Sequence, residues 1–109
     1  MTIDQVNVID AIGIENATQR VVLTIIDHLD WDDEEAHYRA LTNKLNAYLH
    51  FIESGELLKR YPDAAGKTPL VDFVSAVMPP KRAYQFFQKA RHICEPLGVQ
   101  LRSRVFDTK

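Results

Sequence analysis

Residues 27–37 read Asp27-His28-Leu29-Asp30-Trp31-Asp32-Asp33-Glu34-Glu35-Ala36-His37, and they stand between two strongly patterned segments. Before them comes Arg20-Val21-Val22-Leu23-Thr24-Ile25-Ile26, β-branched almost throughout, which predicts a central strand because it is apolar on both faces. After them Tyr38, Leu41, Leu45, Tyr48, Leu49 and Ile52 recur at helical spacing, which predicts a helix over about 33–54. Asp32 reads as its N-cap, and Glu35 three residues on completes a capping box. Asp33 and Glu34 then lie in the first turn, where the helix dipole favours anions. Gly55 supplies the stop. The junction holds the only Trp, two of the four His and six of the fifteen acidic residues.

Upstream, Val6, Val8, Asp10, Ile12 and Ile14 alternate with Asn7, Ile9, Ala11 and Gly13, which predicts a first strand. The polar segment 15–19 joins it to the second strand as an antiparallel hairpin. Downstream, Glu56 to Tyr61 predicts a further helical turn, and 61–67 is a turn-rich connector. Leu70 to Met78 predicts a third strand. Val71, Phe73 and Val77 share one face; Leu70, Val74, Ala76 and Met78 share the other, with Asp72 as its polar exception. Pro79-Pro80 ends that strand, and Pro80 suits the first turn of a helix. Ala83, Phe86, Phe87, Ala90, Ile93, Cys94 and Leu97 follow at helical spacing, and Val99, Leu101 and Val105 then alternate with Gln100, Arg102 and Arg104 as a last, half-buried strand.

The order is ββαβαβ. Right-handed crossovers for both strand–helix–strand units put the two helices on one face of a mixed four-stranded sheet. The expected fold is therefore an α+β two-layer sandwich, a single domain over 1–109. Its second sheet face is left partly open. Apolar residues pointing there need a cover, and a second copy of the chain is the simplest one.

Composition adds limits. The chain has 109 residues, 46% hydrophobic and 26% charged, ordinary for a folded domain with a modest core. One cysteine, Cys94, excludes an internal disulfide and a cysteine-based zinc cluster, and its place on the apolar face of the second helix predicts a buried small hydrophobe. No N-terminal apolar segment of signal-peptide type follows Met1 and no apolar run nears the length of a membrane span, so a cytoplasmic protein is expected. Residues 1–55 carry ten acids against three Lys and Arg; residues 56–109 carry five acids against ten, so the halves stand at −7 and +5. Such asymmetry marks either a polar partner or head-to-tail association, or else charges that mix when the halves interleave; mixing is the routine outcome in one domain.

Several segments resemble a family of small bacterial proteins of unknown function. They are Asn7-Val8-Ile9-Asp10-Ala11-Ile12-Gly13, Val22-Leu23-Thr24-Ile25 with Asp27-His28-Leu29-Asp30-Trp31, Lys44-Leu45-Asn46-Ala47-Tyr48-Leu49, Phe51-Ile52-Glu53-Ser54-Gly55-Glu56, and Tyr61-Pro62. The resemblance spans nearly the whole chain. It implies a bacterial, cytosolic origin and carries no catalytic residue with it.

The candidate ligand or metal residues are Asp27, His28, Asp30, Trp31 and His37. Carboxylate and imidazole donors suit divalent cations, and Asp33 and His37 stand one helical turn apart. The spacing matches no standard site. The two-His zincin pattern is absent, and an EF-hand counted from Asp30 puts Glu35 where Gly is required and Leu41 where Glu is required. Capping explains Asp32, Asp33 and Glu35, and Trp31 reads as an apolar anchor at the helix start. His28 between Asp27 and Asp30 could serve acid–base chemistry, but strand alternation turns Asp27 and His28 to opposite sides. No nucleophile elbow accompanies them, so no catalytic residue and no cofactor is expected.

Lys81, Arg82, Lys89, Arg91, Arg102 and Arg104 stand among phenylalanines, yet Phe86 and Phe87 fall at helix-core spacing and the net charge is negative. Nucleic acid is not the expected partner, and Arg102 and Arg104 read as a solvated sheet surface. Tyr48, Phe51, Tyr61, Tyr84 and Phe106 exceed what a two-layer domain of this size buries with ease, and exposed aromatics mark interfaces. The expected role is a non-enzymatic interaction or accessory domain that forms a homodimer. The alternative is a small enzyme or divalent-metal-dependent binder using the 27–37 junction.

Overall fold

The β-branched run after Arg20 does form the central scaffold. In a computed structural model that describes residues 9 and 11–106, strand β1 (Ala11–Glu15) pairs antiparallel with β2 (Arg20–Asp27). Helix α1 (Glu34–Glu53) and the short α2 (Glu56–Arg60) follow, then β3 (Thr68–Ser75), α3 (Ala83–Cys94) and β4 (Gln100–Val105). The sheet order is β1-β2-β3-β4, with β2, β3 and β4 mutually parallel. The architecture is thus an α+β fold on a mixed four-stranded sheet.

Alternation splits the sheet cleanly. Val21, Leu23 and Ile25 of β2, Val71 and Phe73 of β3, and Leu101 of β4 point one way. They form one buried cluster with Leu41, Leu45, Tyr48 and Leu49 of α1, Leu57 of α2, and Ala83, Phe87, Ala90 and Cys94 of α3. Each fully buried aliphatic side chain there contributes about 1.5–3 kcal/mol of transfer free energy. Tyr48 is fully buried, and its hydroxyl donates to the Thr24 carbonyl at 2.6 Å. Cys94 is buried as its helical position requires, and burial pushes its thiol above the usual pKa.

Several element bounds depart from the sequence reading. The part of the first strand placed at 6–8 and at 10 lies outside the described residues. The third strand begins at Thr68 and ends at Ser75 rather than running to Met78. The reason is that β2 and β4 both end opposite Ser75; the Ala76 N–H makes one last bond to the Asp27 carbonyl at 2.8 Å, and residues 76–78 lie exposed. Pro80 precedes α3 rather than opening it: its carbonyl accepts from Ala83 N in a turn, and the helix starts at Ala83. The N-cap of α1 is Asp33, not Asp32. The Asp30 side chain takes the Asp32 N–H at 3.1 Å, which shifts the start of the helix by one residue. Asp33 then accepts from Ala36 N at 3.1 Å, and the residue three beyond the cap is Ala36, so no capping box forms. Glu35 instead pairs with Arg39 one turn on. Gly55, at φ +88°, makes the left-handed turn that separates α1 from α2.

Candidate functional site

The end of β2 and the first turn of α1 close onto each other. Asp27 is the last residue of β2 on the core-facing side, and His37 lies on the side of α1 that Leu41 and Leu45 continue. Ten residues apart in sequence, they meet at 2.5 Å between His37 Nε2 and Asp27 Oδ2, both side chains 1% exposed. The other ring nitrogen, Nδ1, lies 2.7 Å from the Asp30 carbonyl. A carbonyl only accepts, so Nδ1 carries a hydrogen, and Nε2 and Oδ2 share one further proton between them. The pair is neutral as a whole wherever that proton rests. Asp27 Oδ1 accepts from Leu29 N at 3.1 Å, so both carboxylate oxygens are used.

Trp31 closes the arrangement. Its ring stacks on His37 with centroids 3.6 Å apart and planes 16° from parallel. Its indole Nε1 donates to the Val77 carbonyl at 3.3 Å, tying the loop after β2 to the loop after β3. From Trp31 an aromatic series runs through Tyr38, Phe86 and Phe87 to Phe73 in the core. Arg82, just before α3, donates to Glu34 at 2.6 Å through Nε. That hydrogen bond holds the Glu34 carboxyl below the usual carboxylate range. A lowered folded-state pKa stabilises the native state above the unfolded pKa, and the contribution is lost as pH falls through the folded one.

The five sequence candidates therefore separate. Asp27, His37 and Trp31 come together with the backbone of Asp30. The Asp30 side chain turns away to cap Asp32 N, and Asp33 is spent on the helix start. His28 is exposed and lines a cavity with Thr24, Ile26 and Val74 on the other side of the sheet. Among the described residues no group of three or more His, Cys, Asp or Glu could hold a metal ion. A ligand reaching Asp27 and His37 would have to part a bond that is closed to solvent and covered by Trp31.

Two features escaped the sequence reading. Lys44 is fully buried on α1, with Nζ 5.7 Å from the centroid of the Tyr48 ring; its spacing of three from Leu41 was the available signal. The second feature lies on the sheet face away from the core cluster. Asp72 is 1% exposed, and it accepts from Arg102 Nη2 and Arg104 Nε, each at 3.1 Å. Arg102 also lies 3.9 Å from Glu15, and Glu15 pairs with Arg20 at 2.6 Å. Arg102 and Arg104 are thus not a merely solvated surface. They neutralise a carboxylate that burial alone would make costly. The Asp72 hydrogen bond raises the pKa of Arg102 further, and Thr18 and then Arg20 lower that of Glu15.

Fold and site define a small α+β domain with a locked junction on one side of its sheet and a charged network on the other. The chain belongs to DUF6572, a family of unknown function that it matches over residues 1–107. No curated protein and no solved structure matches it. Among the described residues no helix is long and apolar enough to cross a membrane.

Proposed function

We propose that this protein is a small non-enzymatic interaction or accessory domain that self-associates as a homodimer through the free edge of β4. One observation carries the reading. β4 is an edge strand, and the Phe106 amide donates inward to the Ser75 carbonyl at 2.7 Å. Alternation then directs the backbone groups of Leu101, Ser103 and Val105 outward. Arg91 occupies the Leu101 carbonyl at 3.3 Å; among the described residues the edge beyond it stays open. Beside that edge lie Tyr84, Val105 and Phe106, at 64%, 37% and 54% exposure. An open edge flanked by apolar side chains pairs readily with another chain, and two copies of one edge are self-complementary about a two-fold axis.

The locked junction supports a non-catalytic role, since His37 and Asp27 already satisfy one another. The basic residues support a protein partner over nucleic acid: Arg82, Arg91, Arg102 and Arg104 each have an intramolecular acceptor. The setting we infer is the bacterial cytoplasm, in keeping with the family resemblance and with a lone, buried cysteine.

Sedimentation velocity at micromolar concentration tests the proposal. The expected result is a species of twice the chain mass. Ser103→Pro removes only an outward-pointing N–H, which an edge strand tolerates, and should return the monomer with the melting profile of a folded protein. A monomer in the unsubstituted protein refutes self-association. A dimer that survives both Ser103→Pro and Val105→Lys refutes the β4 edge as its surface.

A further inference from the structure

The cavity on the sheet face opposite the core cluster has a volume of about 350 Å³. Ile26, Val74 and Ala76 line it, Phe106 forms one wall, and Arg104 and His28 supply the polar groups. Its size and its mostly apolar surface with few polar groups are those of a small-molecule site. The polar end is built rather than incidental. Asp72, 1% exposed, receives Arg104 through Nε alone. A guanidinium has five N–H donors in a rigid fork, so Nε anchors the side chain while its four terminal N–H groups have no hydrogen-bond partner among the described residues.

The local charge points the same way. Among the described ion-paired residues of this face, Asp72 and Glu15 stand against Arg20, Arg102 and Arg104, which leaves one positive charge in excess. Arg20 is paired with Glu15, and Arg102 lies between Glu15 and Asp72. The excess therefore falls at Arg104, the one arginine of the three that lines the cavity.

We infer that this cavity binds a small carboxylate with an apolar body, such as an aryl- or alkyl-carboxylic acid. The carboxylate meets the terminal nitrogens of Arg104, the bidentate geometry that guanidinium favours. His28 offers a further N–H, and the apolar body lies on Ile26, Val74, Ala76 and Phe106. The cavity opens on the sheet face and shares only Phe106 with the surroundings of the outer β4 edge, so its other lining residues stand apart from the dimer contact and the site does not require the dimer.

Titration of the ¹⁵N-labelled full chain with 3-phenylpropionate, followed by ¹H–¹⁵N correlation spectra, tests the inference. Saturable shifts are expected at Ile26, Val74, Ala76, Phe106 and the Arg104 Nε–H, with a Kd below about 1 mM. The uncharged 3-phenylpropanol should bind at least about tenfold more weakly, since a hydrogen bond to a charged group is lost. Arg104→Gln should weaken the carboxylate to the level of the alcohol. Ala76→Phe fills the cavity while leaving Asp72 and Arg104 in place, and should weaken both probes. Absence of saturable shifts, equal affinity for acid and alcohol, or undiminished binding by either folded variant overturns the site. Should a variant fail to fold, the comparison of acid with alcohol on the unsubstituted chain decides alone.

Discussion

Asp27 ends β2 on the core side of the sheet, and Asp72 stands in the middle of β3 on the opposite side. Each is 1% exposed, and each is a carboxylate that must be compensated or protonated. The compensation differs in kind. Asp27 meets a partner as buried as itself, and between them His37, Leu29 N and the Asp30 carbonyl use every polar atom. Asp72 meets two arginines whose side chains are 37% and 54% exposed, so its partners still have donors to offer. A closed network fixes geometry and offers nothing to a ligand. An open one turns the buried charge into an anchor that displays cations in a set position.

The contrast is broken most sharply at His37. His37→Ala removes the ring that satisfies Asp27 Oδ2, occupies the Asp30 carbonyl and stacks on Trp31. Removing one partner of a buried pair leaves the other uncompensated, and the expected cost is about 3 kcal/mol. Urea denaturation measures it. A loss under about 1 kcal/mol would mean that water reaches Asp27 readily, and the closed description would fail.

Asp72→Asn should cost less, about 1–2 kcal/mol by the same measurement. Arg102 Nη2 and Arg104 Nε both donate into Oδ2. An amide nitrogen at that position opposes two donors with two more, and rotating the amide returns an acceptor only by giving up the other oxygen site. The arginines are half-exposed, so water recovers part of what they lose. If Asp72→Asn proves as costly as His37→Ala, the two faces are equally closed and the difference drawn between them is wrong.

How much of this was legible before folding depends on the range over which each interaction acts. The β-branched run 20–26 and the helical spacing from Leu41 to Ile52 are local signals, and both gave their elements to within a few residues. Alternation along β2 correctly turned Asp27 and His28 to opposite sides. The N-cap was missed by one residue because Asp30, Asp32 and Asp33 are chemically equivalent caps; only the turn made by the Asp30 side chain selects Asp33. The Asp27–His37 bond needed the angle at which α1 leaves the sheet, which no local pattern encodes. A hint was present, since His37 stands four residues before Leu41 on the same side of the helix. Asp72 stood out as the polar exception on its strand face. Naming Arg102 and Arg104 as its partners required the parallel register that sets Asp72 opposite Arg102, and that register is a property of the assembled sheet.

The smallest expected effect tests the comparison from its other side. In Asp27→Asn, Oδ1 can still accept from Leu29 N, and the amide nitrogen takes the place of Oδ2. His37 Nδ1 continues to donate to the Asp30 carbonyl, so Nε2 is free to accept, and the new N–H supplies the proton that the carboxylate and imidazole had shared. Every hydrogen bond survives with no ionisable carboxylate left, and the one group added without an acceptor is the second amide N–H. Replacing a buried pair by a neutral one of the same shape is close to free apart from that N–H, so the loss of stability should be about 1 kcal/mol or less. The same chemical substitution would thus be tolerated at Asp27, whose partner can switch from donor to acceptor, and resisted at Asp72, whose arginines can only donate. A loss above about 2 kcal/mol at Asp27 would show that the junction depends on an imidazolium–carboxylate charge pair, and the two aspartates would then differ only in the exposure of their partners.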